Sequence, residues 1–237
     1  MPGSLLDFIN TKQPNPMKIL VKFPTRSRRL KWKETLDKWI SLCSNPKDVV
    51  FVVSMDWDDP EMNPSLVEPM IEGLDAKIHL YWGISTSKID AVNRDIEEIS
   101  EWDILVVASD DMIPQIKGWD DRIREDMLKY WPDGDGVLWY NDGNQGPNLN
   151  TLSIMGRAYY ARSKYVYHPD YISLYCDVEF TQVSRKLRKV KYSPDVIIRH
   201  EHPAFGYGKY DEQYKITESY YRVDRDTFER RKSLGFP

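Results

Sequence analysis

Apolar runs of strand length alternate with amphipathic segments through the first half of the chain. Residues 18–23 are β-branched and apolar and are closed by Pro24, which predicts a first strand ending in a loop. Residues 28–42 place apolar side chains, Leu30 among them, at helical spacing between Lys and Arg, which predicts a surface helix. Residues 48–55 are almost continuously apolar, as in a strand buried on both faces of a parallel sheet.

The same alternation continues as far as residue 108. Residues 78–81 predict a short third strand, residues 88–99 an amphipathic helix, and residues 104–108 another fully apolar strand. This order is typical of α/β proteins with a mostly parallel, Rossmann-like sheet flanked by helices. Ligands of such sheets bind beyond the carboxyl ends of the strands, so we look for chemistry in the polar loops there.

The second half of the chain predicts a loop region followed by mixed elements. Residues 132–150 are rich in Gly, Asp and Asn around a short strand at 137–140. A strand or turn follows at 152–161, a helix at 178–187 and a strand pair at 190–198. We divide the chain into an N-terminal tail (1–17), one α/β domain (18–208) and a C-terminal helical extension packed on it (209–237).

Composition narrows the class of protein. Of 237 residues, 41% are hydrophobic and 30% charged, which argues against disorder, and no apolar run approaches the roughly 20 residues of a membrane span. With no signal segment we expect a cytoplasmic protein. The net charge of -4 argues against a broadly basic surface for nonspecific nucleic-acid binding. Cys43 and Cys176 match neither a disulfide framework nor a C-x-x-C metal site, so we expect buried thiols.

Adjacent carboxylates directly follow the apolar strand at 104–108. In the sequence Ser109, Asp110, Asp111, the two aspartates repel each other unless a cation compensates them. Mg²⁺ and Mn²⁺ bind a few carboxylates together with phosphate oxygens of a substrate. The alternative is a solvated Asp-Asp turn with no ligand.

A second set of polar residues lies between 177 and 202. Asp177 and Glu179 sit at the start of the predicted helix, where they either stabilise its first turn or include a general base. His200 and His202 follow a predicted strand, and one imidazole with Asp111 would give a mixed N/O metal site. The alternative is a surface turn without a ligand.

Three further segments precede these: Pro24-Thr25-Arg26 after the first predicted strand, the acidic loop Asp56-Trp57-Asp58 after the second, and a K-x-x-A-x-N sequence at 88–93. The order of all these segments resembles the GT-A glycosyltransferases, and most closely the large inverting family 2. The resemblance covers residues 18–203. It implies that the first loop and the first acidic loop hold the base and ribose of a nucleotide-sugar, that the K-x-x-A-x-N segment lines the same pocket, and that Asp110 faces ribose or water. The implied donor-binding residues are Pro24, Thr25, Arg26, Asp56, Lys88, Asn93 and Asp110.

The same resemblance implies the metal and the catalytic groups. Asp111 and His200 would bind Mn²⁺ or Mg²⁺, and Asp177, with Glu179 beside it, would supply the base that activates an acceptor hydroxyl. Two positions depart from the family pattern: Ser109 replaces the first acid of D-x-D, and Cys176 replaces a carboxylate before Asp177. The metal then depends chiefly on Asp111, and Asp177 is the best candidate for the base.

The acceptor is less defined by the sequence. Trp139, Tyr140 and Asp142 lie in the loop region where this fold receives its acceptor, and aromatic faces suit stacking on sugars or bases; core packing of Trp139 is the alternative. We expect a soluble saccharide or small molecule. Two basic clusters, residues 26–33 and 185–191, leave DNA as a minority option, provided that both lie on one face.

The resemblance therefore predicts a metal-dependent, inverting hexosyltransferase that uses a nucleoside diphosphate-sugar, with UDP favoured from family frequency. Two alternatives stay open. One is a nucleotidyltransferase acting on a sugar phosphate, although the first loop lacks the glycine-rich, basic sequence usual in such enzymes. The other is an inactive nucleotide-sugar binder, which Ser109 and Cys176 make conceivable.

Overall fold

Nine strands and eight α-helices make up the computed structural model, which describes residues 16–237. The strands are β1 (Ile19–Pro24), β2 (Val49–Asp56), β3 (Lys77–Gly83), β4 (Ile104–Val107), β5 (Met112–Pro114), β6 (Val137–Tyr140), β7 (Ile154–Gly156), β8 (Val190–Ser193) and β9 (Ile198–His200). The helices are α1 (Arg29–Ser41), α2 (Pro64–Ile71), α3 (Lys88–Asn93), α4 (Trp119–Tyr130), α5 (Arg157–Tyr160), α6 (Cys176–Lys186), α7 (Glu212–Ser219) and α8 (Tyr221–Ser233). Residues 1–15 of the predicted N-terminal tail lie outside the described part.

The central sheet has seven strands in the order β3-β2-β1-β4-β7-β6-β8. Strands β1 to β4 run parallel to one another, while β7 is antiparallel to both of its neighbours, β4 and β6. Two antiparallel steps restore the direction, so β6 and β8 again run parallel to β1. A separate ribbon pairs β5 with β9. The predicted α/β class with a mostly parallel sheet is confirmed.

Alternate residues of the central strands enter two apolar cores on opposite faces of the sheet. Val21 and Val106 face the core that contains Trp32 and Trp39 of α1. Leu20, Val52 and Leu105 face the other core, which α3, α6 and α8 cover. Successive side chains of a strand point to opposite faces of the sheet, and here both faces are buried. The strands therefore appear in the sequence as continuous apolar runs.

Several predicted elements differ from the observed ones. Helix α3 ends at Asn93 rather than at residue 99, because Asp95 adopts a left-handed conformation with φ of 66°. The predicted strand pair at 190–198 is two strands that do not pair with each other, since β8 joins β6 and β9 joins β5. Leu30 is 67% exposed, and Trp32 is the buried residue of the first turn. The sequence analysis missed α2, α4 and β5.

The C-terminal helices contact the rest of the fold through buried polar groups. The Asp224 carboxylate in α8 accepts hydrogen bonds from the backbone N–H groups of Ile172, Ser173 and Leu174 at 2.7 to 2.8 Å. Phe228 enters the second core. Within residues 16–237, no helix is long and apolar enough to cross a bilayer. The division at residue 209 stays a prediction.

A fully buried lysine lies in the middle of the sheet. Lys22 of β1 has no exposed side-chain surface, and its ammonium donates to Ser54 and lies 3.9 Å from the Asp95 carboxylate. Ser54 Oγ in turn donates to Asp95 Oδ2 at 2.5 Å, and Arg94 pairs with the same carboxylate at 2.9 Å. Burial lowers the pKa of Lys22 to about 7, against the attraction of Asp95. The group therefore favours its neutral form on folding.

We expect Lys22 to make the free energy of unfolding increase with pH in the alkaline range. Above pH 7 the folded Lys22 is neutral, whereas the unfolded lysine remains protonated up to its ordinary pKa of 10.5, so stability rises as pH increases between these values. The slope attributable to Lys22 is about 1.4 kcal/mol per pH unit. Urea unfolding at pH 7.5 and 9.5 should show this gain in wild type and in the Lys38→Met control, in which an exposed lysine is replaced. Lys22→Met should lack it, and equal gains in all three proteins would contradict the prediction.

Candidate functional site

The loops that follow β1, β2, β3 and β4 leave the sheet at a common edge because these strands are parallel. Asp56 ends β2, and Asp110 and Asp111 follow β4. The β5-β9 ribbon crosses this edge, and Met112 pairs with His200 in its register. The ribbon thus brings residues from distant parts of the chain to the end of β4.

Asp111 and His200 meet as a direct result of that register. His200 Nε2 lies 3.5 Å from Asp111 Oδ2, and the backbone N–H of Glu201 donates to the carbonyl of Asp111 at 2.7 Å. Asp111 also accepts hydrogen bonds from the hydroxyls of Ser109 and Tyr214, the latter at 2.8 Å. Burial alone would raise the pKa of Asp111, but these hydrogen bonds and the His200 charge outweigh it and hold the pKa well below its usual range.

Asp110 points toward helix α1. Arg28 Nη1 lies 3.0 Å from Asp110 Oδ1 and Lys31 Nζ lies 3.6 Å from it, while Thr35 donates to the Asp110 carbonyl at 2.8 Å. Burial and the neighbouring Asp111 raise the pKa of Asp110, and the two cations oppose this. The expected role of Asp110 at ribose stays a prediction, and in this structure its carboxylate pairs with basic side chains.

The donor set at Asp111 and His200 fits a divalent ion such as Mn²⁺ or Mg²⁺. One carboxylate oxygen and one imidazole nitrogen converge, and N/O sets of this kind bind Mn²⁺. His200 Nδ1 is buried and finds no hydrogen-bond partner among residues 16–237. The same residues contain no cluster of three His, Cys, Asp or Glu side chains, so substrate oxygens would have to complete the coordination.

Asp177 lies in the first turn of α6 and is half-buried. Its Oδ1 accepts the N–H of Val178 at 2.9 Å, and Tyr175 rather than Asp177 occupies the N-cap position, where no side chain caps the helix. Burial raises the pKa of Asp177, against the positive charges of Lys88 and His200. Asp177 therefore lies within the electrostatic influence of His200 and is suited to accept a proton.

Glu179 occupies a different environment. Its carboxylate accepts two hydrogen bonds from Arg231 of α8, both at 2.8 Å, and one from the hydroxyl of Tyr171 at 2.7 Å. Both partners of the ion pair are buried. Two residues along a helix place side chains about 200° apart, so Glu179 faces α8 and not the side of Asp177. These contacts are those of a structural residue, and a catalytic role of Glu179 finds no support in them.

The expected nucleotide side of the site contains a charged network. Arg26 lies 3.1 Å from Asp56 Oδ2 and forms a bidentate pair with Asp58 at 2.7 and 2.9 Å. The other oxygen of Asp56 accepts the N–H of Ser85 at 2.9 Å and faces Arg94 at 3.5 Å. Gly83 leaves the space that this Arg94 guanidinium occupies. Asp56 is thus fixed at the end of β2 by two arginines and one backbone N–H.

Of the other expected donor-binding residues, some remain available to a ligand and one has a structural role. Pro24 pairs with Ser54, two residues before Asp56 on β2, and the N–H of Thr25 donates to the Ser54 carbonyl at 3.1 Å. The buried Thr25 hydroxyl has no hydrogen-bond partner in the described part of the chain. Lys88 is exposed at the start of α3. Asn93, however, uses both ends of its amide on the backbone of residues 166–167, donating to Tyr167 at 2.7 Å and accepting at 2.9 and 3.2 Å. Asn93 therefore anchors a loop with its carbonyl oxygen and one of its two amide N–H groups.

The three expected acceptor residues are structural. Trp139 and Tyr140 are 2% and 1% exposed because β6 is an interior strand of the sheet. Tyr140 donates to Asp126 at 2.7 Å, and Asp142 accepts the hydroxyl of Thr151 and two backbone N–H groups of its own turn. The core-packing alternative for Trp139 is correct, and the stacking of a sugar or an extruded base on these rings is ruled out by their burial.

The two basic clusters lie near opposite ends of the parallel strands. Residues 26–33 follow the carboxyl end of β1, whereas Lys189 precedes the amino end of β8, which runs in the same direction as β1. Lys189 pairs with Asp135 at 2.8 Å, and Arg185 donates to the carbonyl of Pro147. A DNA acceptor requires both clusters to lie on one face, and their separation along the strands argues against this; the nature of the acceptor stays a prediction.

Residues that the sequence analysis did not assign complete the site. Asp211 and Tyr214, which flank the start of α7, contact Arg28 and Asp111 across 183 and 103 residues of chain. No local pattern could reveal contacts of such separation. A cavity of about 570 Å³ opens beside these groups and is lined by Lys31, Lys38, Asp110, Asp111, Gln115 and Tyr207, among others.

Neither a family model nor a curated protein sequence matches the chain. Solved structures match it at low identity. The mannosyltransferase PcManGT from Pyrobaculum calidifontis, in complex with GDP-Man and Mn²⁺, aligns over 87% of this chain and 70% of its own with a TM-score of 0.63 and 15% identity. S. aureus TarS aligns over 77% of this chain with a TM-score of 0.61 and 14% identity, and this chain spans only 36% of that one.

Two further solved structures are similar. S. aureus TarS 1-349 in complex with UDP aligns over 77% of this chain and 59% of its own, with a TM-score of 0.58 and 14% identity. The 4-diphosphocytidyl-2C-methyl-D-erythritol synthase of Anaerococcus prevotii aligns over 87% of this chain and 96% of its own, with a TM-score of 0.52 and 12% identity. These matches confirm the GT-A-like fold expected from the sequence, and at such identities they establish the fold alone.

We expect Glu179→Gln to lower stability because it leaves the buried Arg231 with only the more distant carboxylate of Asp170, at 3.9 Å, as a charged partner. Breaking such a pair costs about 3 kcal/mol. The matched control is Glu229→Gln, which neutralises an exposed glutamate on α8 and should change stability by under about 0.5 kcal/mol. Urea unfolding at pH 7 measures both. An unchanged midpoint for Glu179→Gln would contradict the structural role.

Proposed function

We propose that this chain is a glycosyltransferase that moves a sugar from a nucleoside diphosphate donor to an acceptor hydroxyl. The observation that carries the proposal is the convergence of Asp111 and His200, 3.5 Å apart, at the edge where the parallel strands end, with the half-buried Asp177 nearby. Two ligands for one divalent ion, close to a candidate base, suit the transfer of a sugar from a diphosphate. The structural similarity to PcManGT with GDP-Man and Mn²⁺ supports this choice.

In the proposed reaction Asp177 accepts the proton of the acceptor hydroxyl. The hydroxyl oxygen attacks the anomeric carbon of the donor sugar from the face opposite the diphosphate, and the bond between that carbon and the phosphate oxygen breaks with its electron pair. The configuration at carbon is thereby inverted. Mn²⁺ or Mg²⁺ held by Asp111 and His200 would neutralise the charge on the leaving diphosphate.

The donor residues retained in the proposal are those at the ends of β1 and β2. Asp56, fixed by Arg26 and Arg94, can accept an N–H of a base or a ribose hydroxyl. Lys88 and Thr25 are the other donor-binding residues that the proposal retains. We favour UDP as the nucleotide and a soluble saccharide or small molecule as the acceptor. Asn93, Glu179, Trp139, Tyr140 and Asp142 are not part of the proposed machinery.

Nucleotidyl transfer is the second candidate function. It takes its support from the similarity to the 4-diphosphocytidyl-2C-methyl-D-erythritol synthase, which this chain covers over 96% of its length. Against it, the loop between β1 and α1 consists of Thr25–Arg28 without a glycine. Incubation with UDP- or GDP-sugars and Mn²⁺ separates the two functions. Release of free sugar and nucleoside diphosphate supports glycosyl transfer, and pyrophosphate-dependent turnover supports nucleotidyl transfer.

We expect Asp177→Asn to abolish sugar transfer while preserving donor binding. Asparagine keeps the shape of the side chain and its hydrogen bond to Val178 but cannot take a proton at neutral pH. Loss of the carboxylate from the first turn of α6 should cost no more than about 1 kcal/mol. Product release by chromatography and donor affinity by calorimetry measure the two effects. Burial raises the pKa of Asp177, and a base must be deprotonated to accept a proton. As the pH is lowered, wild-type transfer should therefore decline at a higher pH than expected for a carboxylate with its usual pKa.

A result in which Asp177→Asn retains transfer would remove this residue as the base. Large loss of folding stability in the same variant would instead indicate that the carboxylate chiefly serves the helix. Thermal unfolding of the variant without ligand distinguishes this case from loss of chemistry.

We also expect Asp111→Asn and His200→Ala each to weaken Mn²⁺ binding at least about tenfold, the size reported for ligand-shell changes at metal sites. Titration of Mn²⁺ followed by electron paramagnetic resonance measures this without any turnover. Glu201→Gln, which alters the residue between the two histidines, serves as the matched control and should bind as wild type. Equal Mn²⁺ affinity in all four proteins would contradict the proposed metal ligands.

A further inference from the structure

The guanidinium of Arg28 holds a carboxylate in the geometry that also suits a phosphate. Its Nε and Nη2 atoms donate to the two oxygens of Asp211 at 2.8 and 2.6 Å, while Nη1 donates to Asp110 at 3.0 Å. The Arg28 side chain is 13% exposed and the Asp211 side chain 42%. A bidentate arginine fork binds carboxylate and phosphate oxygens alike. The carboxylate of Asp211 therefore occupies an anion site formed by Arg28, on the side of the guanidinium that faces solvent.

The same short segment covers the candidate metal ligand. Tyr214 donates its hydroxyl to Asp111 Oδ2 at 2.8 Å, and its ring lies 4.2 Å from the Arg28 guanidinium carbon. Lys31 Nζ approaches the Tyr214 hydroxyl at 3.4 Å. Asp211 and Tyr214 are joined by a backbone cap, since Asp211 Oδ1 accepts the N–H of Tyr214 at 3.2 Å. One turn of chain thus occupies both the arginine fork and the carboxylate oxygen next to His200.

Apart from these contacts, the segment is held mainly by the Tyr214 ring, whose centroid lies 4.7 Å from that of His202 and 5.9 Å from that of Tyr210. Tyr214 is the only buried residue of α7, whereas α8 is anchored by Asp224, Phe228 and Arg231. Release of residues 211–214 therefore exposes one large side chain, the Tyr214 ring, and no other buried residue of α7. An anion of higher charge than a single carboxylate can compete for Arg28 because the fork itself stays in place, fixed by Asp110.

We propose that Arg28 is a binding residue for the diphosphate of the donor and that Asp211 occupies its guanidinium fork in the absence of donor. This rests on the proposed function for the identity of the anion as a nucleoside diphosphate. Arrival of the diphosphate displaces Asp211, and the linked Tyr214 then releases Asp111 Oδ2. Donor phosphate and access to the metal ligand are thereby coupled through four residues of the C-terminal extension.

The test is a comparison of anion affinity in Asp211→Asn and wild type. Asparagine retains the helix cap and the shape of the side chain but removes the competing charge. Inorganic pyrophosphate, UDP and GDP are titrated by calorimetry, each with and without Mg²⁺. We expect Asp211→Asn to bind these anions at least about fivefold more tightly, the lower end of typical coupling between sites. The control Glu212→Gln neutralises the adjacent exposed carboxylate, which pairs with Lys215, and should leave affinity unchanged.

A second variant checks the fork itself. Arg28→Lys keeps a positive charge but loses bidentate geometry, so we expect weaker binding of all three anions. Its thermal unfolding is measured without ligand, so that loss of binding is not confused with loss of the fold. Tighter binding in Asp211→Asn together with unchanged binding in Arg28→Lys would overturn the assignment of Arg28.

The outcomes separate this inference from the proposed function. If UDP or GDP binds equally to wild type and Asp211→Asn, the inference fails and the proposed function stands. If pyrophosphate binding tightens in Asp211→Asn while neither nucleotide binds either protein, the proposed function fails and the anion site stands. Failure of every anion to bind any variant would overturn both.

Discussion

Two adjacent, buried carboxylates at the end of one strand impose the main constraint on this structure. Asp110 and Asp111 are 6% and 5% exposed, and each must be compensated by its own partners. Asp110 receives Arg28, the residue before α1, and Lys31 of α1. Asp111 receives His200 from the β5-β9 ribbon, together with the hydroxyls of Ser109 and Tyr214. Helix, ribbon and C-terminal segment thus converge on the end of β4 because these charges require them.

The sequence predicted the parts of the site that depend on strand position. An apolar run identifies a strand buried on both faces, and its carboxyl end then locates Asp56 and Asp111 without knowledge of any contact. His200 was found by the same reasoning at the end of β9, although its strand partner was expected to be β8 rather than β5. Register decided the proximity to Asp111, and register between short, distant strands is not encoded in local periodicity.

The errors have equally specific causes. Asp177 and Glu179 were grouped because they are close in sequence, but two residues along a helix point to different sides, and Glu179 meets Arg231 instead. Trp139 and Tyr140 were assigned to the acceptor because the surrounding segment is polar, whereas β6 between β7 and β8 buries both rings. Arg28 was read only as part of a basic run, since its partners Asp110 and Asp211 lie 82 and 183 residues away.

The C-terminal extension serves the fold and the site with different parts. Helix α8 is tied to the domain by buried charges: Asp224 satisfies three backbone N–H groups, and Arg231 neutralises Glu179 on the helix that also carries Asp177. Helix α7 has only Tyr214 buried and reaches the site through Tyr214 and the N-cap residue Asp211. Rigid attachment of α8 keeps residues 211–214 near Arg28 at high effective concentration, so their contacts can break and re-form without loss of the fold. Anchoring at one helix and exchangeable contacts at the other follow from where the buried charges lie.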